Sequence, residues 1–147
     1  MTADLPPRLS EYRLRRRVNF YEVDSVGIVH FSWFARYMEE AEHALWRAAG
    51  LSIAPRRSEV GFPRVSISFD FKAPLHFEDE FEVLIRILKI GRKSIRYSCL
   101  ITCGDREIAI GSLAIASVRR GVDGAMMAVP LPEWVTDRLA VSREAGA

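Results

Sequence analysis

The fold of this chain is decided by one stretch, Asn19-Phe-Tyr-Glu-Val-Asp-Ser-Val-Gly-Ile-Val-His-Phe-Ser-Trp-Phe-Ala-Arg-Tyr-Met-Glu-Glu-Ala-Glu42, which predicts a strand, a turn and then a helix. Asp24 ends the predicted strand, and Gly27 permits a tight turn because glycine adopts left-handed backbone angles at little cost. An amphipathic helix follows, with Ser32 as its N-cap and Gly50 as the residue that stops it. The stretch therefore predicts that backbone N–H groups at the positive end of a helix point to the space beside a carboxylate, where an ester-like carbonyl could bind.

Residues at helical spacing support that helix. Apolar and polar positions form opposite stripes, which is the pattern of a helix that buries one face. The apolar stripe is Phe34, Met38, Ala41, Leu45 and Ala49, and the polar stripe is Arg36, Glu39, Glu40, His43 and Arg47. Of the three neighbouring acids, Glu39 and Glu40 fall on the polar stripe, so Glu42 is the better candidate for an inward-facing acid.

Alternating apolar and polar residues predict five strands. The first precedes the helix, from Arg13 onward to Asp24 at its end, with one lapse in its alternation at Arg16. The other four follow the helix as a meander, at about 64–71, 80–90, 95–101 and 107–119. The last of them is apolar on both faces and is expected to be central. The segment 51–62 predicts a connecting loop, and 132–139 predicts a short C-terminal helix that begins with a proline.

The long helix can cover only one face of that sheet. Six apolar residues are predicted to populate the second face: Leu84, Leu88, Ile90, Leu100, Ile108 and Ile110. Another subunit or the short C-terminal helix has to shield them from water, so the sequence predicts a homo-oligomer.

Length and composition indicate one domain spanning residues 1–147, with residues 1–11 as a loosely held N-terminal arm. The chain is 49% hydrophobic and 27% charged, which is typical of a soluble globular protein. A formal net charge of +2 is too small to indicate a nucleic-acid partner, and the run Arg15–Arg17 is interpreted as a solvated strand face. Because no apolar run is long enough to span a membrane and no signal core begins the chain, we expect a cytoplasmic protein.

Common metal and nucleophile motifs are absent from the sequence. Cys99 and Cys103 lie in one predicted strand, roughly 13 Å from each other, so they are expected to be reduced packing residues. The three histidines and two cysteines lack metal-ligand spacing, and no Gly-x-Ser-x-Gly motif occurs. We therefore expect neither a metal nor another cofactor.

Two segments, Tyr21-Glu-Val-Asp24-Ser-Val-Gly27-Ile-Val29 and Arg36-Tyr-Met-Glu-Glu40-Ala, resemble the 4-hydroxybenzoyl-CoA thioesterase family of hotdog-fold proteins. Residues 68–80 resemble that family's second strand and its proline-containing exit, and residues 91–94 resemble its hairpin. The resemblance implies an α+β hotdog fold, in which a five-stranded antiparallel sheet wraps around one long helix and a short C-terminal helix follows. It also implies that two subunits pair edge to edge, often within tetramers, and that the active sites lie between subunits.

The resemblance further implies an activity, the hydrolysis of an acyl-CoA thioester to a free acid and CoA. Asp24 then takes the place of the family's catalytic aspartate, Gly27 that of the turn glycine, and the backbone N–H near Phe31 that of the oxyanion donor. The pairs His30-Phe31 and Trp33-Phe34 depart from the residues that related sequences often carry there. These departures concern the preferred acyl group rather than the type of reaction.

A thioester is a suitable substrate for a site with one aspartate and one oxyanion donor, because a thiol with a pKa near ~8.5 leaves as thiolate without a general acid. Asp24 could attack the carbonyl carbon directly or deprotonate a water, and the sequence leaves both routes open. Another interpretation is that Asp24 only caps a turn. His30 is interpreted first as a residue that packs or bonds locally at the mouth of the site, and second as an acid or base.

CoA carries phosphates, so cations should meet it. Arg92 and Lys93 in the predicted hairpin are the candidates, with Lys72 nearby in the family's layout, and a solvated turn is the other interpretation. Four aromatic residues suggest an apolar or aromatic acyl group unless they belong to the core: Phe31, Trp33, Phe34 and Phe62.

Three alternatives to an acyl-CoA thioesterase remain. A carrier-protein thioester, as in polyketide or fatty-acid release, is the close enzymatic alternative. A non-catalytic acyl-ligand binding module is a different class. A hydratase on the same fold is less favoured, because that chemistry usually pairs an aspartate with a nearby histidine and the sequence contains no such compact pair.

Overall fold

A computed structural model describes residues 6–143 of the chain. Its helices and strands are β1 (Glu11–Arg17), α1 (Ser32–Ala48), β2 (Val60–Gly61), β3 (Arg64–Phe71), β4 (Glu80–Ile90), β5 (Ser94–Cys103), β6 (Arg106–Ala116), β7 (Val118–Arg120), β8 (Met126–Ala128) and α2 (Glu133–Thr136). A 3₁₀ turn at Phe20–Glu22 lies between β1 and α1.

Five of these strands form an antiparallel sheet in the order β1-β4-β5-β6-β3, which confirms the predicted five-stranded sheet. The helix α1 covers one face of it, and its apolar stripe enters the buried core, as the helical spacing predicted. Trp46 of α1 is fully buried, and its indole N–H donates a hydrogen bond of 2.9 Å to the Tyr97 hydroxyl of β5. Glu42 also faces inward and is fully buried, whereas Glu39 is exposed.

The lapse at Arg16 has a structural cause. Its neighbours Arg15 and Arg17 are exposed, but the Arg16 side chain is only 16% exposed and points towards α1. There it forms ion pairs with Glu22 and Glu40. The interpretation of this basic run as a solvated face is therefore right for Arg15 and Arg17 and wrong for Arg16.

The second face of the sheet is less apolar than predicted. Ile108 was expected there, but the register shifts at the neighbouring β5–β6 pairs and Ile108 is fully buried in the core. Ile90 also packs against the core. Leu84, Leu100 and Ile110 pair in one row outside the core cluster, so these three lie on the second face as predicted, although Leu84 is only 6% exposed. Ile110 alone of the six predicted residues counts as exposed, at 40%.

The short helix α2 does not cover that second face. Its Trp134 ring lies 6.5 Å from the ring of Trp46 and 6.0 Å from that of Phe62, so it packs against the end of α1. The sequence analysis named two possible covers for the second face, another subunit or the C-terminal helix. Within residues 6–143, the C-terminal helix is not that cover.

Exposed apolar surface lies instead on the edge strand β3, which pairs with β6 and with no other strand among residues 6–143. Val65, Ile67 and Phe71 are 61%, 49% and 51% exposed. They alternate with polar residues such as Ser68, whose hydroxyl lies 2.7 Å from that of Ser112 on the opposite face. The apolar face of β3 thus extends beyond the area that α1 covers.

A second sheet of three short strands, in the order β2-β7-β8, was not predicted. β2 lies in the predicted loop 51–62, and β7 lies at the end of the predicted strand 107–119, which is divided at Ser117. Strands of two or three residues are too short to show a period of two, so the sequence gives no signal for them.

Both ends of the first strand differ from the prediction. β1 runs from Glu11 rather than Arg13 and ends at Arg17, so Asp24 does not end a strand of the main sheet as predicted. Residues 1–5 of the predicted arm lie outside the described residues, but Leu9 is held by hydrogen bonds to Arg138 and Ala140. The prediction of a loosely held arm is therefore wrong for residues 9–11, because Leu9 pairs with the C-terminal segment and β1 begins at Glu11.

Candidate active site

A tight hairpin carries Asp24 to the start of α1. The His30 N–H donates to the Glu22 carbonyl at 2.9 Å, and the Asp24 N–H donates to the Ile28 carbonyl at 2.8 Å. Gly27 turns the chain with a φ of +90°, as the sequence predicted, and this angle is unfavourable for other residues. The hairpin therefore places an acid and a helix N-terminus in one short segment.

Asp24 caps this hairpin with one of its carboxylate oxygens. Oδ1 accepts hydrogen bonds from the N–H groups of Val26 at 2.9 Å and Ile28 at 3.4 Å. Oδ2 accepts no hydrogen bond from any residue between 6 and 143, and the side chain is half-buried. The turn-capping interpretation is thus present in the structure, and it leaves the second oxygen available.

The helix N-terminus differs in detail from the prediction. Ser32 is the first residue of α1 rather than its N-cap, and Phe31 occupies the cap position. The His30 ring replaces a side-chain cap, since the Ser32 N–H donates to Nδ1 at 3.2 Å and the Ser32 hydroxyl lies 2.8 Å from it. The N–H of Phe31 has no acceptor among the residues that the structure describes.

His30 bonds and packs locally. Besides its contacts with Ser32, its ring stacks on Phe31 with centroids 4.5 Å apart. This is the first of the two interpretations that the sequence left open for His30.

Exposed aromatic and apolar side chains surround the hairpin. They are Phe20 (74%), Tyr21 (66%), Val26 (79%), Phe31 (68%) and Phe77 (45%). Isolated apolar residues on a surface are ordinary, but a group of this size around one segment is typical of a ligand or subunit interface.

Three of the four aromatic residues proposed from sequence lie at or near this hairpin. Trp33 is half-buried and contacts Tyr21, with ring centroids 5.4 Å apart. Phe34 is buried at 3% exposure and contacts Phe71 of β3, so it is a core residue in the single chain. Phe62 is also buried, but it packs against Trp46 and Trp134 and does not belong to this surface.

The three predicted cations do not come together in one chain. The Lys72 N–H binds the Ile108 carbonyl at the start of β6, whereas the Lys93 carbonyl accepts the Ser117 N–H just after β6 ends. At ~3.3 Å per residue these points are about 30 Å apart. The segment just after Lys72 pairs with the hairpin, through Ile28 and His76, so Lys72 lies at the end of the sheet nearer Asp24, and Arg92 and Lys93 lie at the opposite end.

His76 is a titratable residue of this surface that the sequence analysis missed. Val23 pairs with Val29 and Ile28 pairs with His76, so Asp24, Ile28 and His76 form a row across three short segments. Directly opposed residues on adjacent segments share a face, and two spacings of ~4.8 Å put His76 about 10 Å from Asp24. The Asp79 carboxylate accepts the His76 N–H at 2.8 Å. Only this tertiary pairing reveals the row, since His76 and Asp24 are distant in sequence.

Other parts of residues 6–143 offer weaker candidates for a site. Three surface cavities of about 600, 630 and 660 Å³ are lined by other residues and do not include Asp24. No group of three His, Cys, Asp or Glu residues in the described part could hold a metal ion. A membrane-spanning segment is not found among the helices of residues 6–143. Cys99 and Cys103 are both free, and burial raises the pKa of the Cys99 thiol to about 12.

Comparison with known protein families gives a match to the thioesterase superfamily over residues 26–110. Asp24 lies two residues before the matched segment. The match covers the end of the hairpin, α1, the small strand β2 and the strands β3 to β5, together with part of β6.

Individual proteins are similar over most of their length. A relative from Aquifex aeolicus described as a putative esterase is 33% identical over 109 residues, which is 73% of this chain and 84% of the relative. A Synechococcus protein named 1,4-dihydroxy-2-naphthoyl-CoA hydrolase is 30% identical over 120 residues, covering 74% of this chain and 79% of that protein. The solved structure of a gentisyl-coenzyme A thioesterase has a TM-score of 0.76 and 27% identity, covering 87% of this chain and 99% of that one. These likenesses confirm the predicted resemblance and the hotdog fold.

Proposed function

Because the chain belongs to the thioesterase superfamily, we propose that it hydrolyses an acyl-CoA thioester to a free acid and CoA, with Asp24 acting on the carbonyl carbon. Membership of this family confirms the predicted class, a thioester hydrolase. One observation carries the finer proposal: a single hairpin places the Asp24 carboxylate and the start of α1 in the same short segment.

The chemistry follows from the two groups that lack partners in the described chain. The Phe31 N–H, at the positive end of α1, can donate to the thioester oxygen and stabilise the negative charge that develops there. Asp24 Oδ2 can then act at the carbonyl carbon, while Oδ1 stays fixed by the hairpin N–H groups. No general acid is needed, because the sulfur leaves as thiolate.

Two routes are consistent with this arrangement. In the first, Oδ2 forms a bond to the carbonyl carbon, the C–S bond breaks, and water opens the resulting mixed anhydride to give the acid and the Asp24 carboxylate. In the second, Asp24 takes a proton from a water whose oxygen attacks the same carbon, the C–S bond breaks, and Asp24 gives the proton to the departing thiolate or to solvent.

We propose an aromatic acyl group. Two of the similar proteins described above are named for the substrates 1,4-dihydroxy-2-naphthoyl-CoA and gentisyl-coenzyme A. The acyl groups of both substrates are aromatic. The exposed rings of Phe20, Tyr21, Phe31 and Phe77 offer a surface on which such a group could pack.

A second copy of the chain is proposed to complete the site. Val65, Ile67 and Phe71 leave an apolar edge strand uncovered, and such edges pair readily with another strand. Lys72 and the Arg92–Lys93 turn lie at opposite ends of the sheet in one chain. One bound CoA could therefore contact both only if they came from different chains. Light scattering should therefore give a dimer or larger, and Ile67→Lys should shift it towards monomer and lower turnover. A wild-type monomer at micromolar concentration would contradict this.

The proposed function is tested by thiol release from a panel of acyl-CoA esters that includes benzoyl-CoA and decanoyl-CoA. Asp24→Asn should lower kcat on the order of a hundredfold or more, because the amide cannot act as nucleophile or base. Its amide oxygen can still accept the hairpin N–H groups, so the local fold should persist. Asp123→Asn is the matched control, since Asp123 accepts the Ala125 N–H at 3.0 Å in the same kind of turn far from the site.

The other outcomes separate the alternatives. Release from carrier-protein esters only would favour the carrier-protein thioesterase. Binding of acyl-CoA without release from any ester would favour the non-catalytic module. Full activity of Asp24→Asn would contradict the role given to Asp24.

A further inference from the structure

A buried charge pair lies directly before the hairpin. The Glu22 side chain is fully buried, and the Arg16 Nη1 donates to its Oε1 at 2.8 Å while Nη2 lies 2.6 Å from Oε2. The Asn19 N–H also donates to Oε1, at 2.8 Å. Arg16 on β1 thus contacts both oxygens of an acid at the end of the 3₁₀ turn, with its hydrogen bond on Oε1.

Arg16 connects this acid to α1 as well. Its Nε donates to Glu40 Oε1 at 2.9 Å, and its guanidinium lies 4.7 Å from the centre of the Tyr37 ring. Burial lowers the pKa of Arg16, but the hydrogen bonds to Glu22 and Glu40 more than offset this and keep it above its usual value. One permanently charged side chain therefore joins β1, the 3₁₀ turn and the first half of α1.

Glu22 also closes the hairpin through its backbone. Its carbonyl accepts the His30 N–H at 2.9 Å. Asp24 follows Glu22 by two residues, and Phe31 follows His30 directly, so both groups of the candidate site are attached to this one hydrogen bond. We therefore expect a shift of Glu22 to change the separation between the Asp24 carboxylate and the Phe31 N–H.

We propose that Glu22 and Arg16 are positioning residues, which hold the Asp24 carboxylate and the Phe31 N–H at the separation that thioester hydrolysis requires. The proposal rests on the function proposed above. Buried ion pairs are in general weak sources of stability, because desolvation offsets their attraction. A misplacement of about 1 Å, in contrast, can slow a reaction on the order of a hundredfold.

The test compares two identical substitutions at the two fully buried glutamates. Glu22→Gln keeps the size of the side chain but removes the charge that Arg16 holds, and it should lower kcat by roughly 10-fold to 100-fold with KM within about 2-fold. Glu42→Gln is the matched control, because Glu42 is also fully buried and paired with an arginine, Arg64, but is not attached to the hairpin. It should leave kcat within about 2-fold.

Two further variants keep the test informative if Glu22→Gln folds poorly. Arg16→Lys retains the charge without the planar fork and should keep more of kcat than Arg16→Met. Glu40→Gln removes a partly exposed end of the network and should lower kcat by about 2-fold to 5-fold, while Glu39→Gln, on the neighbouring exposed position, should have no effect.

The outcomes distinguish this inference from the function on which it rests. Wild-type turnover tests the proposed function, and an inactive wild type would overturn both. If the wild type is active, equal loss of kcat in Glu22→Gln and Glu42→Gln, or a rise in KM alone in Glu22→Gln, would show that the pair acts only on the fold and would overturn the positioning role.

Discussion

Two glutamates of this protein are equally buried and differ in what they are attached to. Glu22 and Glu42 are both 0% exposed, and each is paired with an arginine from a strand of the main sheet, Arg16 or Arg64. Glu22 lies at the base of the hairpin that carries Asp24. Glu42 lies in the middle of α1, beside the core. The same chemical pair therefore occurs once next to the candidate site and once away from it.

The two glutamates also differ in their surroundings and in the contacts that their arginines make. Burial raises the pKa of Glu42, and the opposing effects of Arg64 and the Tyr97 hydroxyl do not cancel this. Burial likewise lowers the pKa of the neighbouring His43. Arg64 holds Glu42 through one nitrogen, at 2.5 Å from Oε1, whereas Arg16 contacts both oxygens of Glu22. Arg16 and the Asn19 N–H both donate to Oε1 of Glu22, which ties this acid to β1 and to the residue before the 3₁₀ turn and suits a positioning role.

Removing the arginine of either pair should reveal the largest difference in stability between them. Arg16→Ala leaves the Glu22 carboxylate buried without its partner, and breaking a buried pair in this way costs about 3–5 kcal/mol of the free energy of unfolding. Arg64→Ala should cost less, because Glu42, whose pKa is already raised, can take up a proton and become neutral. Urea denaturation at neutral pH measures both losses. A loss at Arg64 as large as that at Arg16 would contradict the difference between the pairs.

Replacing both partners by apolar residues should separate stability from activity. Arg64→Met with Glu42→Leu is expected to be neutral or to stabilise by about 1–4 kcal/mol, since both desolvation penalties disappear. Thioester hydrolysis should persist in that variant. Arg16→Met with Glu22→Leu should also fold but should lose activity, because the apolar pair no longer fixes the hairpin. Retained activity in the second double variant would count against the positioning role.

The dependence of stability on pH should show that folding raises the pKa of Glu42. Because folding raises its pKa, the folded protein binds this proton more tightly than the unfolded chain, whose value is near 4.5. The stabilisation is therefore complete below that value and is lost as the pH rises through the raised pKa. Between the unfolded and the folded pKa, the free energy of unfolding of the wild type, minus that of Glu42→Gln, should fall by about 1.4 kcal/mol for each pH unit. Denaturation curves from about pH 5 to about pH 8 measure it, and a difference that rises with pH would show the sign to be wrong.

An exposed pair on the outer face of the sheet should show the smallest effect. Arg13 and Glu82 are 2.7 Å apart, with side chains 57% and 25% exposed. Arg13→Ala should cost at most about 1 kcal/mol of the free energy of unfolding, and less at high salt, since water and ions screen such a pair. Urea denaturation at low and high salt provides the measurement. A loss comparable to that of Arg16→Ala would remove the distinction between buried and exposed pairs on which the other predictions depend.

Local sequence predicted the elements that local physics controls. The spacing of Met38, Leu45 and their neighbours determines which face of α1 is buried. Gly27 marks a tight turn, because glycine adopts the positive φ found there at little cost. The buried Glu42 was the better candidate for an inward-facing acid, because Glu39 and Glu40 fell on the polar stripe.

Partners that are distant in sequence could not be predicted. The lapse at Arg16 was visible, but its partners Glu22 and Glu40 lie on other elements, and His76 joins Asp24 only through the pairing of Ile28. The small sheet β2-β7-β8 was missed because strands of two or three residues have no measurable period.

By itself the sequence determined the long helix, the five main strands and the acid before the glycine turn, because periodicity and glycine geometry are properties of neighbouring residues. Only the tertiary structure decided that Asp24 lies beyond the end of β1, that Arg16 turns inward, and that the uncovered apolar face belongs to β3. The physical reason is that burial and ion pairing depend on which distant segments meet, and one-dimensional patterns do not contain that information.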